Sequence, residues 1–280
     1  MTPEIAGRLR DASGFVFDMD GTIALGDAAS GGHKALPHAI ALLELLERKG
    51  IPFVVFTNGS AKSPKTYAAS LRSAGFPVPD ERMLTPSASA ARWYVKQGVG
   101  KVRVLGNEGT GAPLRDLGIE VVGPSEPATG VEAVFTGWHR EFVFADLEAA
   151  CDSLWQGARF TTASHVPFFA AEGGRAIGAS YAINAMLTSL TGKRPRILGK
   201  PGKAAIDTAL ETMNLPRKAV SNLVVVGDDQ ALEMRLANNA GALAIGVSTG
   251  MMKTTEGLAP RDRPAALLSS LEPLLEALSG

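Results

Sequence analysis

"FVFDMDGTIALGD" (residues 15–27) sets three apolar residues against Asp18-Met19-Asp20-Gly21-Thr22. A short unbroken apolar run of this kind reads as a strand buried on both faces, as in a parallel sheet. It ends in two carboxylates one residue apart, then a glycine. Charges at the end of a buried strand are costly unless something compensates them.

The same pattern recurs along the chain. "IPFVVF" (51–56) runs into Thr57-Asn58-Gly59-Ser60, and "NLVVVGDD" (222–229) into Asp228 and Asp229, with Glu233 shortly after. "ALAIGVSTG" (242–250) is a further buried strand. Between these lie helical segments: "LPHAIALLELLERKG" (36–50), "SPKTYAASLRSAG" (63–75), "KAAIDTALETMN" (203–214) and "ALEMRLANNAG" (231–241). Ser63 and Pro64 mark a helix start, and Gly50, Gly75 and Gly241 mark stops. Strand-helix alternation predicts an α/β fold with helices on both faces of a parallel sheet.

The middle of the chain has its own strands, "KVRVLGN" (101–107), "GIEVVG" (118–123), "VEAVFTGW" (131–138) and "ARFTTAS" (158–164), with helices at "DLEAACDSLWQG" (146–157) and "ASYAINAMLTSLTG" (179–192). Pro/Gly punctuation at 85–87 and 192–203 brackets it. The expected organisation is a core domain of residues 1–85 and 193–280, with a smaller α/β domain of residues 86–192 inserted.

Composition narrows the class of partner. The 280 residues are 45% apolar, and 28 Lys and Arg balance 28 Asp and Glu. Neutrality argues against nucleic-acid or anionic-membrane binding. The N-terminus lacks the apolar run of a signal peptide, and no stretch of about 18 apolar residues occurs. The one cysteine, Cys151, has no partner within the chain, and its helical apolar spacing reads as a buried structural thiol. A cytoplasmic protein is expected.

In an open parallel sheet, ligands bind beyond the carboxyl ends of the strands. Asp18, Asp20 and Asp228 crowd negative charge there, and a hard divalent cation resolves that crowding. Two carboxylates and a backbone carbonyl suit Mg²⁺, whereas the paired His or Cys ligands of zinc are missing. Lys200, the Thr57 hydroxyl and the amides around Asn58 and Gly59 supply a cradle for a phosphoryl group. Asp18 and Asp20 can then divide nucleophile from general acid/base, through an aspartyl-phosphate.

"DMDGT" (18–22), "TNGS" (57–60), "GKP" (199–201) and "GDDQALE" (227–233), in that order, resemble the four motifs of the haloacid dehalogenase-like (HAD) superfamily. The long insertion after the second motif resembles subclass IIA, the p-nitrophenylphosphatase-like proteins, as do "LTPSASAARWYV" (84–95), "VRVLGNEG" (102–109) and "GASYAINAMLTSLTGKRPRILGKP" (178–201). The resemblance implies a Rossmann-like parallel-sheet core with an inserted α/β cap. It implies Asp18 as nucleophile, Asp20 as acid/base, Thr57 with Asn58 and Gly59 on the phosphoryl group, and Lys200 as its counter-charge. Mg²⁺ falls to Asp18, the Asp20 carbonyl and Asp228, backed by Asp229 and Glu233. Asp20 also separates the chain from the dehalogenases, which lack that second acid. Glu233 departs from the aspartate usual there. "TGWHREF" (136–142), "TTASHVPFFAAEGG" (161–174) and the long segment "GDAASGGHKALPH" (26–38) also depart from the subclass pattern.

Ser164 and His165 lie in the stretch that resembles the family's substrate-specificity loop, and are expected to touch substrate. His139 and Trp138 are weaker candidates, with packing the alternative. Phe168 and Phe169 read as an apolar pocket wall or as an anchor between domains. His33 and Lys34 read as a solvated loop or as a gate over the site. The expected function is Mg²⁺-dependent hydrolysis of a small phosphomonoester: a sugar, polyol, nucleotide or cofactor phosphate. Aromatic residues make up 6% of the chain, which tilts the reading toward a polyol or sugar. Relatives of this subclass dimerise through the cap, so a homodimer is expected. The alternatives are a phosphotransferase or mutase using the same chemistry, and a catalytically idle HAD-like binding module. Against the first, Arg140, Arg159 and Arg175 are scattered and mark no second phosphate site. Against the second, Asp18, Asp20, Lys200 and Asp228 are all present.

Overall fold

The computed structural model describes residues 1–27, 32–171 and 174–280. Residues 28–31 and 172–173, within the two atypical stretches 26–38 and 161–174, lie outside the described residues, as do the side chains of Phe169 and Arg175. The chain forms two compact units. One comprises Met1–Thr57, Lys65–Leu84 and Ile206–Gly280; the other comprises Asn58–Pro64 and Thr85–Ala205.

The first unit is built on a six-stranded sheet whose paired strands all run parallel. From one edge to the other its strands are Ala266–Leu268, Leu243–Val247, Leu223–Gly227, Gly14–Phe17, Phe53–Phe56 and Met83–Leu84. The four longer central strands are buried at every position, which is why their sequences read as continuous apolar runs. Phe15, Phe17, Phe53 and Val55 pack in one core with Leu42, Leu43 and Leu46 of the Ala39–Arg48 helix and Leu71 of the Pro64–Ser73 helix.

Directly after the first strand the chain makes a tight turn, then an antiparallel pair of Ala24–Asp27 with Gly32–Ala35. The sequence reads this stretch as a long loop. "ALGD" and "GHKA" carry neither the alternation nor the β-branched residues that mark a strand, so the hairpin is set by its closing contacts. Leu36 N–H donates to the Ile23 carbonyl at 2.9 Å, and Gly21 N–H to that of Ala24 at 2.8 Å.

The second unit has a five-stranded parallel sheet in the order Arg196–Ile197, Arg159–Thr162, Ala133–Thr136, Lys101–Leu105 and Glu120–Val122. Alternate side chains of its central strand enter two separate cores. Phe135 joins Tyr94 and Val102 on one face, and Val134 joins Cys151, Leu154, Phe160 and Ile183 on the other. Cys151 is buried, as its spacing predicts, and burial raises its thiol pKa. An antiparallel pair, Phe168–Ala171 with Gly174–Ile177, completes the unit. Among the described residues no helix is long and apolar enough to cross a membrane.

Candidate active site

Three neighbouring strands of the first unit's sheet, Leu223–Gly227, Gly14–Phe17 and Phe53–Phe56, end at Asp228, Asp18 and Thr57. The strands are parallel, so the three residues stand at one edge. The hydrogen-bond ladder runs on into that edge: Asp18 N–H donates to the Val226 carbonyl at 2.9 Å, and Thr57 N–H to that of Leu84 at 3.2 Å. All three side chains are buried, with Asp18 7% and Asp228 6% exposed.

Each carboxylate is held by a neutral donor. Oδ2 of Asp18 accepts from the Thr22 hydroxyl at 3.1 Å, and Oδ2 of Asp228 accepts from Met251 N–H at 2.7 Å. Asp228 is also hemmed in by backbone. Gly21, at φ +81°, and Gly250 both approach so closely that a Cβ on either would overlap the Asp228 carboxylate. The Thr249 hydroxyl, donating to the Gly21 carbonyl at 2.5 Å, ties those two loops together.

Two carboxylates buried side by side repel each other and lose hydration, a cost that a cation offsets. Neutral donors help fix their direction. Both carboxylates are hard oxygen donors, and Asp20, whose carbonyl is the expected third, follows in the turn after Asp18. Among the described residues no group of three or more His, Cys, Asp or Glu side chains gathers to hold a metal ion. An ion content with one or two carboxylates and retained waters, as Mg²⁺ is, fits these residues.

Asp229 and Glu233 serve the backbone behind Asp228. Oδ1 of Asp229 accepts from Ala231 N–H at 2.6 Å, capping the Gln230–Met234 turn. The turn is a π-helical one, where the sequence reads as the start of an ordinary helix. Oε2 of Glu233 accepts from Asp229 N–H at 3.1 Å, and its stem lies against Gly227. The extra methylene relative to aspartate carries the carboxylate over Gly227 to that amide.

Asp20 differs from its neighbours. Its side chain is 56% exposed, and Oδ1 lies 3.8 Å from Nε2 of His33. The sequence leaves His33 in a solvated loop or a gate; the structure buries its ring.

In the second unit, Asn58 and Lys200 are joined reciprocally. Lys200 N–H donates to Asn58 Oδ1 at 2.9 Å, and Asn58 Nδ2 donates to the Lys200 carbonyl at 2.8 Å. Gly199 permits this approach, since a Cβ there would lie 2.3 Å from the Ala163 carbonyl and 2.8 Å from Asn58 Oδ1. Lys200 is 1% exposed. The segment after Gly59 is tied to the same unit, because Ser60 Oγ accepts from Trp138 N–H at 2.9 Å and Asn107 Nδ2 donates to the Ala61 carbonyl at 2.8 Å. The structure thus brings Asn58, Gly59 and Lys200 together with the start of the Ser164-His165 loop.

His165 is exposed, with its ring 4.8 Å from that of Tyr181. Asn184, fully buried, orients it. Asn184 Oδ1 accepts from the Thr136 hydroxyl at 2.6 Å, so Nδ2 faces Thr162 at 2.9 Å and His165 Nδ1 at 3.4 Å. Nδ1 is then the acceptor, and the proton of the neutral ring sits on the outward Nε2. Partial desolvation pushes the His165 pKa down, which favours that neutral form. The Ser164 carbonyl accepts from the Thr162 hydroxyl at 2.8 Å. His139, by contrast, pairs with Asp146 at 2.9 Å, and Asp146 caps the Phe144–Trp155 helix. That pairing gives His139 a structural partner.

Sequence reasoning did not reach Thr22, Thr249, Met251 or Asn184 as supports of the site. "STG" (248–250) follows a buried strand as the other clusters do, so the signal for the loop around Asp228 was present.

Known proteins match the chain along its length. A family model described as haloacid dehalogenase-like hydrolase matches residues 15–120, and one described as HAD-hydrolase-like matches residues 197–274. The 5'-nucleotidase YutF of Bacillus subtilis is 25% identical over 94% of this chain and 97% of its own. An acid sugar phosphatase of Staphylococcus haemolyticus is 26% identical over 91% of this chain and 92% of its own. Among solved structures, a 4-nitrophenylphosphatase from Thermotoga maritima superposes with a TM-score of 0.84 at 26% identity, covering 97% of this chain and 99% of that one.

Proposed function

Since this chain belongs to the haloacid dehalogenase-like hydrolases, in their p-nitrophenylphosphatase-like subclass, and is a phosphatase, we propose that it hydrolyses a small phosphomonoester through an aspartyl-phosphate on Asp18. The observation that carries this reading is the pair of buried carboxylates, Asp18 and Asp228, on adjacent strand ends. Thr22 and Met251 direct them at the edge where a parallel sheet binds its ligands.

Asp18, Asp228 and the Asp20 carbonyl would hold Mg²⁺, which when bound supplies the positive charge that lets a carboxylate approach a phosphate dianion. A carboxylate oxygen of Asp18 attacks phosphorus, forming the Asp18–phosphorus bond as the phosphorus–alkoxide bond breaks. The Asp20 carboxyl gives its proton to the departing alkoxide. A water then attacks phosphorus and loses its proton to Asp20. The bond to Asp18 breaks, inorganic phosphate leaves, and both carboxyl groups are restored. Thr57, Asn58, Gly59 and Lys200 bind the phosphoryl oxygens.

Residues 86–192 are read as the inserted cap, and Ser164 and His165 as substrate contacts. The outward Nε2–H of His165 is a neutral donor suited to a hydroxyl or carbonyl on the leaving group. The relatives act on different esters, so the substrate class stays at small phosphomonoesters. A homodimer formed through the cap is part of this reading, supported by Phe144, Trp155, Met186 and Leu190, which are exposed on its Phe144–Trp155 and Ala179–Thr191 helices.

The test is phosphate release from a panel of sugar, polyol, nucleotide and aryl phosphates, with and without Mg²⁺, beside Asp18→Asn. Release that needs Mg²⁺ and is lost in a folded Asp18→Asn protein is expected. Turnover retained in Asp18→Asn would remove the covalent intermediate.

A further inference from the structure

The hairpin after the first strand carries a contact that the proposed mechanism leaves unused. His33, paired across the hairpin with Gly26, is 6% exposed at its side chain. Its Nδ1 is 2.8 Å from Ser70 Oγ, and its ring centroid is 6.3 Å from that of Tyr67. Both partners belong to the Pro64–Ser73 helix. The other ring nitrogen, Nε2, faces Oδ1 of Asp20 at 3.8 Å.

A proton-transferring group works only when held near its productive geometry, and the Asp20 carboxyl stands more than half in solvent. His33 is the reverse case: nearly buried, packed against an aromatic ring and anchored at one nitrogen. With the Ser70 hydroxyl donating to Nδ1, the ring hydrogen lies on Nε2, toward a group that accepts hydrogen bonds when ionised. Contacts of catalytic acids are often long before substrate binds and tighten with it, and 3.8 Å is within one side-chain adjustment of a hydrogen bond.

We propose that His33 is a positioning residue for Asp20, fixed by Ser70, that sets the orientation in which Asp20 exchanges its proton with the leaving group. The inference rests on the phosphatase reading and on Asp20 as its acid/base. The alternative role for His33 is to pack the hairpin onto the helix.

Leaving-group dependence separates the two roles, because p-nitrophenolate departs without help from an acid and an alkoxide does not. kcat/KM is measured for p-nitrophenyl phosphate and glycerol phosphate in the wild type, His33→Ala, His33→Gln, Ser70→Ala, Asp20→Asn and the His33→Ala/Asp20→Asn double variant. The expected result is a loss in His33→Ala about tenfold greater on the alkyl ester than on the aryl ester. His33→Gln, which keeps a donor, recovers part of it. Adding His33→Ala to Asp20→Asn costs nothing further. An equal loss on both esters, or losses that multiply in the double variant, would overturn the proposal. If His33→Ala fails to fold, the same split must appear in Ser70→Ala and His33→Gln, and its absence there overturns it equally. A wild-type protein inactive on every phosphomonoester would instead bring down the phosphatase reading and this inference with it.

Discussion

A methyl group on Gly21 would stand 2.5 Å from Oδ2 of Asp228, so the turn after the first strand and the acid ending its neighbour share one space. Gly21 also sits at φ +81°, where L side chains are strained. Gly21→Ala is expected to destabilise the protein by about 1–3 kcal/mol in urea unfolding. It should also displace the Asp228 carboxylate, with more than about tenfold loss of kcat on p-nitrophenyl phosphate. A variant with wild-type stability and rate would show that the contact is readily relieved.

Asn58 holds the Lys200 backbone by both its amide atoms. Asn58→Ala leaves a donor and an acceptor beside a buried lysine without those partners, which costs about 1–3 kcal/mol. Asn58→Asp keeps an acceptor for Lys200 N–H but loses the donor to its carbonyl, and is expected to fall between. Denaturant titration of the three proteins gives the ranking, whereas kcat/KM is expected to fall furthest in Asn58→Asp, whose carboxylate repels a phosphoryl group.

His165→Ala is expected to reorder the preferred esters while leaving p-nitrophenyl phosphate turnover within about threefold of wild type. Asn184→Leu should act in the same direction, because it removes the amide that directs the ring. An unchanged ranking in both variants would make His165 an ordinary surface histidine.

Arg235 grips Asp262 bidentately, with Nε to Oδ1 at 2.7 Å and Nη2 to Oδ2 at 2.9 Å. That hydrogen bonding holds the Asp262 carboxyl below its usual range. A carboxyl whose folded pKa is depressed stabilises the fold above its unfolded pKa, near about 3.9, and loses that contribution as pH falls through the folded value. Asp262→Asn is expected to cost about 1 kcal/mol at pH 7, since the pair is partly exposed. Thermal unfolding of the two proteins between pH 7 and pH 3 should show their difference shrinking below about pH 4. A difference independent of pH would assign the loss to packing.

The sheet of the first unit was legible because its strands are buried on both faces, so "FVF", "FVVF" and "LVVV" had to be unbroken apolar runs. The acids were legible because burying charge at a strand end needs a reason. The pairing of residues 24–27 with 32–35 was not legible, since these residues carry no period-2 alternation and Gly26 pairs with His33 through backbone alone. The role of His33 depends on Ser70, 37 residues away, and the Asn58–Lys200 clamp spans 142 residues. Side-chain partners at that separation leave no mark on local pattern. Glu233 shows the limit differently: its extra methylene was visible, but the amide it reaches was set by the π-helical turn.

Cys151 makes the second unit its own reporter. It is the chain's one thiol, 2% exposed among Leu154, Phe160 and Ile183, on a core face separate from the first unit's core. A thiol reagent can reach it only when that face opens, so the labelling rate under native conditions is a clock on the opening of this unit. Compared with global unfolding by denaturant, the clock tells whether the chain melts as a single body or as two with separate thresholds. It needs no engineered probe, and substrate that restrains the second unit will slow it.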